Sequence, residues 1–183
     1  MIHSVQKDKK EVREKMKRIT SLILLLCFMM FSLSANAYQL NGHRVVNPQY
    51  VTYWAPTNDG IATPTEIDAV VSAISSWQVH CPEIKIFRSN TINASMIIDF
   101  YLDVDNDAYA VTYFNSKEIA FYKPWRSLSM VRKQETAVHE AGHILGLEHC
   151  QPQYNSEAVM RKDGFNDLAC PLADDKRGIA ALY

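Results

Sequence analysis

The chain has no long basic tract, no internal repeat, and no apolar run of the roughly 20 residues that a membrane span requires. Its 19 Lys and Arg stand against 20 Asp and Glu, a formal net charge of −1, which gives nucleic acid no electrostatic handle. Glycine is scarce, with 6 among 183 residues, while 48% of the residues are hydrophobic, so collagen-like and wholly disordered chains are excluded. Four cysteines do not make a disulfide scaffold. None is needed, because a chain of this length is one domain that buries enough surface to hold its own core.

The absence of a full membrane span matters because the chain begins like an exported one. Residues 1–18 are rich in Lys and Arg, residues 19–33 are almost entirely apolar, and Ser34-Ala35-Asn36-Ala37 follows. A basic leader, a short apolar run and Ala-x-Ala predict a signal peptide over 1–37, cut after Ala37, with a single domain over 38–183. Met16, ahead of Lys17-Arg18, is an alternative initiator. Cys27 lies inside the apolar run behind Leu26 and does not resemble a lipid-attachment site. The mature protein is then expected to be mildly acidic and secreted or periplasmic, with membrane contact confined to export. Cys81, Cys150 and Cys170 remain, and an oxidising compartment permits one disulfide among them. Cys150–Cys170 is the preferred pair, because the segment between them reads as a loop returning to one place. Cys81 reads as a buried small hydrophobe.

Beyond a polar arm at 38–49, residues 50–55 (YVTYWA) read as a strand. Thr63-Pro64-Thr65-Glu66 opens a helix, with Thr63 as N-cap, Pro64 at the first position and Glu66 closing a capping box. Ile67, Val70, Val71, Ile74 and Trp77 form one apolar stripe at helical spacing, and Pro82 stops the helix near His80. Strands are expected at 84–87, 95–101, 109–114 and 119–122, a helical stretch at 128–147, irregular chain at 151–169 and a short helix at 172–183.

The chemistry is concentrated in His139-Glu140-Ala141-Gly142-His143-Ile144-Leu145-Gly146-Leu147-Glu148-His149. His139 and His143, four apart, share one helix face and can bind one metal ion. On a continuing helix, His149 would stand about 15 Å along the axis from His139, out of reach of the same ion. The helix must therefore break, and Gly146 is placed to end it, since glycine enters left-handed conformations without steric cost. Three protein ligands leave a fourth position for water, the mark of a catalytic zinc, and Glu140 is placed as general base and acid. A pattern fixing five positions arises by chance in about one window in 10⁷.

H-E-x-x-H-x-x-G-x-x-H followed by a methionine turn identifies a resemblance to the metzincin metalloproteases. Met160, within Ala158-Val159-Met160, is the matching methionine. The runs 136–149 and 172–183, and residues 69–87 with Trp77 and Pro82, resemble the matrixin (matrix-metalloprotease) branch, so the resemblance covers most of 51–183. It implies an α+β catalytic domain: a twisted mixed sheet of about five strands, two long helices and a C-terminal helix. It implies that His139, His143 and His149 bind zinc, that Glu140 is catalytic, and that Gly146 and Met160 support the site. Ala110, Val111, Thr112 and Tyr113 would form a sheet edge to which a peptide or protein substrate adds as a strand. Asp174 and Asp175 match paired aspartates, one supporting the methionine turn and the other able to hold a mature N-terminal ammonium.

The departures are also specific. The mature region has no propeptide cysteine and no histidine-rich loop between Met96 and Phe121, so one zinc is expected. Asp103, Asp105 and Asp107 could offer carboxylates to Ca²⁺, but the EF-hand glycine and distal glutamate are lacking, so a solvated loop is expected instead. Arg161 follows Met160 where relatives carry other residues. The expected function is a secreted zinc metalloendopeptidase. Two alternatives stay open: an exported zinc-containing binding protein without peptidase activity, and a zinc hydrolase of non-peptide amides. Nothing signals an oligomeric state.

Overall fold

The computed structural model describes residue 16, residues 37–57 and residues 60–183. The expected signal peptide, apart from Met16 and Ala37, lies outside the described residues, and Cys27 with it. The elements in chain order are β1 (Gln39–Leu40), β2 (Val51–Trp54), α1 (Pro64–His80), β3 (Ile86–Arg88), β4 (Met96–Tyr101), β5 (Ala110–Tyr113), β6 (Glu118–Tyr122), α2 (Lys123–Arg126), α3 (Met130–Ile144), β7 (Leu147–Glu148) and α4 (Ala173–Leu182).

Helix α1 begins where the capping box places it. The Thr63 hydroxyl accepts from the Glu66 N–H at 3.3 Å, and the Glu66 carboxylate accepts from the Thr63 N–H at 3.0 Å. Ile67, Val70, Ile74 and Trp77 of its stripe are buried, with Val71 packed at the margin. Five strands form a mixed sheet in the order β3-β2-β4-β6-β5. β2 is parallel to β3 and β4, and β4 to β6, whereas β5 runs antiparallel to β6 and forms an edge. Along β4, Met96, Ile98 and Phe100 are buried and alternate with half-buried Ile97 and Asp99. The buried face joins one core with Val70, Ile74 and Trp77 of α1 and Ala137, Val138, Ala141 and Ile144 of α3.

Two tryptophans and one ion pair lock the helices together. The Trp77 indole donates to the Val138 carbonyl at 3.0 Å, pinning α1 to α3. The Trp125 indole donates to the Lys133 carbonyl at 3.1 Å. The Lys133 ammonium lies 4.9 Å from the Trp125 ring centre and 3.0 Å from the Glu66 carboxylate, which ties the start of α1 to α3.

Beyond strand ends shifted by a residue or two, three departures from the sequence reading stand out. The expected helix over 128–147 is α3 alone, 130–144, preceded by the separate turn α2 that opens at Lys123-Pro124. α3 stops at Ile144 because Gly146 adopts φ +107°, a conformation that breaks the helical hydrogen-bond pattern. The polar arm at 38–49 is not merely extended: its β1 pairs antiparallel with β7, Gln39 opposite Glu148 and Leu40 opposite Leu147.

Candidate metal centre

Helical geometry brings the first two histidines together, and the turn at Gly146 returns the third. His139 Nε2 lies 3.1 Å from His143 Nε2 and 3.2 Å from His149 Nε2. Their remaining nitrogens are engaged: His139 Nδ1 meets the Val159 carbonyl at 2.8 Å, and His143 Nδ1 meets the Leu147 carbonyl at 2.9 Å. A carbonyl only accepts, so in both rings Nδ1 carries the hydrogen and Nε2 presents a lone pair. Burial pushes the His139 and His143 imidazoles down to about 4, so both are neutral at neutral pH. Converging lone pairs repel unless a cation lies among them. Two nitrogens bound tetrahedrally at zinc–nitrogen distances near 2.05 Å would stand about 3.3 Å apart, close to the separations here. The donor set therefore fits zinc. Among the described residues this trio is the cluster able to hold a metal ion.

The surroundings hold the three histidines in place. His149 Nδ1 lies 3.3 Å from the Glu148 carboxylate, an acidic neighbour that orients the third ring. Met160, buried, packs beneath α3: a Cβ built on Gly142 would fall 2.3 Å from Met160 Sδ and 3.0 Å from the Trp77 ring. Asp175 accepts the Val159 N–H at 2.7 Å and the Met160 N–H at 3.2 Å, so it holds the turn whose carbonyl receives His139. Burial pushes its carboxyl up to about 6 against the pull of these donors. Asp174, buried, pairs with Arg177 at 3.1 Å, and burial pushes its carboxyl up against the pull of Arg177 and the Tyr38 N–H.

Glu140 follows the first ligand and is buried. Burial pushes its carboxyl up, opposed by His143 and by the Thr112 hydroxyl, which donates to Glu140 Oε2 at 2.7 Å. The site opens into a cleft of about 820 Å³. β5 forms one wall with Ala110, Val111 and Thr112, and residues 161–165 face it. Tyr109 and Phe165 approach across the cleft with ring centres 5.6 Å apart. Arg161 lines this cleft with its Nε buried and unpartnered.

Several expected residues stand elsewhere or act differently. Tyr113, expected to contact substrate, is not among the cleft-lining residues, and its hydroxyl pairs with that of Tyr122 at 2.8 Å. Thr112 lines the cleft, but its hydroxyl is engaged by Glu140. Cys150 and Cys170 are free thiols, so the expected disulfide is not formed; the buried Cys150 thiol turns instead toward Asn155 Oδ1 at 3.5 Å. Asp105 pairs with Lys123 at 3.0 Å in an exposed loop. The sequence reading missed Glu148, Glu135 and Asn41. Adjacency to a ligand could have found Glu148. Glu135, buried one turn before His139, accepts from the Asn166 and Leu168 N–H groups and holds the wall segment; its spacing to His139 was the available signal. Asn41 carried no signal.

No family model matches the chain. An archaemetzincin from Saccharolobus islandicus (strain Y.N.15.51 / Yellowstone #2) is 45% identical over 53 residues, a stretch covering 28% of this chain and 28% of that relative. Two structures of myroilysin align at a TM-score of 0.57. One, 14% identical, covers 80% of this chain and 98% of its own; the other, 17% identical, covers 78% and 86%. The chain thus shares its α+β fold with myroilysin.

Proposed function

We propose that the chain is an exported zinc metalloendopeptidase of the metzincin kind, nearest in its residues to the matrixin branch. The observation that carries this reading is the convergence of three Nε2 lone pairs beside a buried carboxylate, at the floor of a cleft walled by a sheet edge. The partial likeness to an archaemetzincin supports it. The runs 136–149 and 172–183, with Asp175 beneath the methionine turn, favour the matrixin branch. Asp174, buried and beside the Tyr38 N–H, is then the seat for an ammonium at a processed N-terminus.

His139, His143 and His149 would hold one zinc, which supplies Lewis acidity toward a carbonyl and a water. The protein's own residues do the rest. Thr112 holds Glu140 Oε2, leaving Oε1 to take the proton from the attacking water and pass it to the departing amine. Burial raises the proton affinity of this carboxyl above that of an ordinary glutamate. A peptide enters extended and adds to β5 through main-chain hydrogen bonds.

The test is zinc content and casein or gelatin cleavage by the purified chain, with and without chelator, beside Glu140→Ala. One zinc per chain and chelator-sensitive cleavage are expected, with the variant slower by about 10²–10⁴-fold. A chain that binds no zinc, or a variant that cuts as well as the parent, would overturn the proposal. One zinc without cleavage of any protein would favour the non-peptidase alternatives.

A further inference from the structure

The cleft and the histidine trio lie within residues 107–165, yet hydrogen bonds tie them to a segment about 100 residues earlier. β1 pairs with β7, the two-residue strand that leads into His149. Next to it, the Asn41 N–H donates to the Gly146 carbonyl at 3.1 Å. The Asn41 carboxamide Nδ2 then donates twice, to the His143 carbonyl at 2.9 Å and to the Leu147 carbonyl at 3.0 Å. Its Oδ1 accepts the His43 N–H at 2.8 Å, so all three of its hydrogen-bonding functions are satisfied and its orientation is determined. Further on, the Tyr183 hydroxyl accepts the Val45 N–H at 3.0 Å and donates to the Leu145 carbonyl at 2.9 Å. The arm is thereby strapped over the turn that separates the second and third ligands.

Two details give the strap a role beyond packing. The His143 carbonyl, near the C-terminus of α3, already takes the Gly146 N–H at 3.1 Å, and Asn41 adds a second donor to it from a distance. The Leu147 carbonyl is the same oxygen that receives His143 Nδ1 at 2.9 Å. One lone pair of that oxygen holds the imidazole, and the other is held by Asn41. An oxygen anchored this way sets the ring's direction and keeps its hydrogen on Nδ1, hence its lone pair on Nε2. Groups that orient a ligand in this fashion typically change metal affinity 10–100-fold when removed.

We infer that Asn41 is a positioning residue of the metal centre: its carboxamide fixes the Leu147 carbonyl that orients His143 and bridges the Gly146 turn that delivers His149. The arm at 38–46 is then part of the site and not a passive leader. This rests on the histidine trio being a metal site, but not on peptide cleavage.

The experiment measures zinc affinity of the full chain by competition with a chelator, alongside melting of the metal-free protein. Asn41→Asp keeps the acceptor toward His43 and removes both donors. Asn41→Ser, retaining one donor, serves if the first variant does not fold. Thr52→Ala, which breaks the 3.3 Å Thr52–Ser95 hydroxyl contact on β2, controls for general destabilisation. The expected result is zinc binding about 10–100-fold weaker for Asn41→Asp, with altered visible bands of the cobalt-loaded protein, and unchanged zinc affinity for Thr52→Ala. Zinc affinity of the Asn41 variants within twofold of the parent, or an equal loss in Thr52→Ala, would overturn the inference while leaving the metal site standing. A parent chain that binds no zinc would overturn both.

Discussion

Gly146→Ala is the sharpest single perturbation of this site. At φ +107° an alanine is strained, at a cost of about 1–3 kcal/mol. Its Cβ would also fall 2.4 Å from Leu182 Cδ2 and 2.6 Å from the His43 carbonyl oxygen. Leu182 can swing away, being the far end of a side chain. The His43 oxygen belongs to the strapped arm and cannot move without loosening β1 from β7. Such overpacking costs about another 1–3 kcal/mol. The combined loss of about 2–6 kcal/mol is a large share of the 5–15 kcal/mol by which domains are usually stable. Urea unfolding of the metal-free protein reads the loss as a lower midpoint at unchanged slope. Because the turn delivers His149, zinc affinity should fall as well. Leu182→Ala in the same background should recover only the Leu182 part. A Gly146→Ala protein within about 0.5 kcal/mol of the parent would refute both the strain and the strap as described.

Three further outcomes are expected. Gly142→Ala drives a Cβ into Met160 Sδ at 2.3 Å and should cost about 1–3 kcal/mol; in a double-mutant cycle, Met160→Ala should cost at least about 1 kcal/mol less in that background than in the parent, and strict additivity would contradict the contact. Burial alone would raise the Glu66 carboxyl, but the Thr63 N–H and Lys133 overcome it and hold Glu66 down at about 2. A folded value below the unfolded one means stability that is present above the usual carboxylate range, near 4.5, and lost as pH falls through about 2. That loss is about 3 kcal/mol, and urea unfolding of Glu66→Gln should show a correspondingly weaker fall between pH 5 and pH 2. Free zinc at about 100 times its dissociation constant should stabilise the chain by about 2.7 kcal/mol, raising its melting temperature by several degrees. His149→Ala should abolish that shift, and a full shift in the variant would remove His149 from the ligand set.

Much of the site was readable because its logic is local. His139 and His143 share a face wherever a helix forms, and the distance from His139 to His149 along a helix demanded a break that Gly146 alone could supply. Thr63 and Glu66 marked the start of α1 for the same reason, since capping involves residues three apart. Strand positions followed from short β-branched and aromatic runs, while their ends shifted by a residue or two because neighbours, not composition, decide where pairing stops. Cys150 and Cys170 show the limit: spacing allowed a bridge, but whether two thiols face each other depends on the path of the intervening chain.

The sequence by itself determined the two long helices and most of the strands, the shared face of His139 and His143 with Glu140 beside them, and the turn at Gly146, because each depends on residues a few positions apart. Only the tertiary structure decided that β5 runs antiparallel to β6, and that Glu66 meets Lys133 from 67 residues away. It also decided that Thr112 turns inward to hold Glu140, and that Asn41 reaches carbonyls 102 and 106 residues distant. Those contacts have no periodicity to betray them. They exist because packing α1 and α3 into one core with the buried face of the sheet brings distant segments side by side, and the polar groups that meet there pair by position in space, not in sequence.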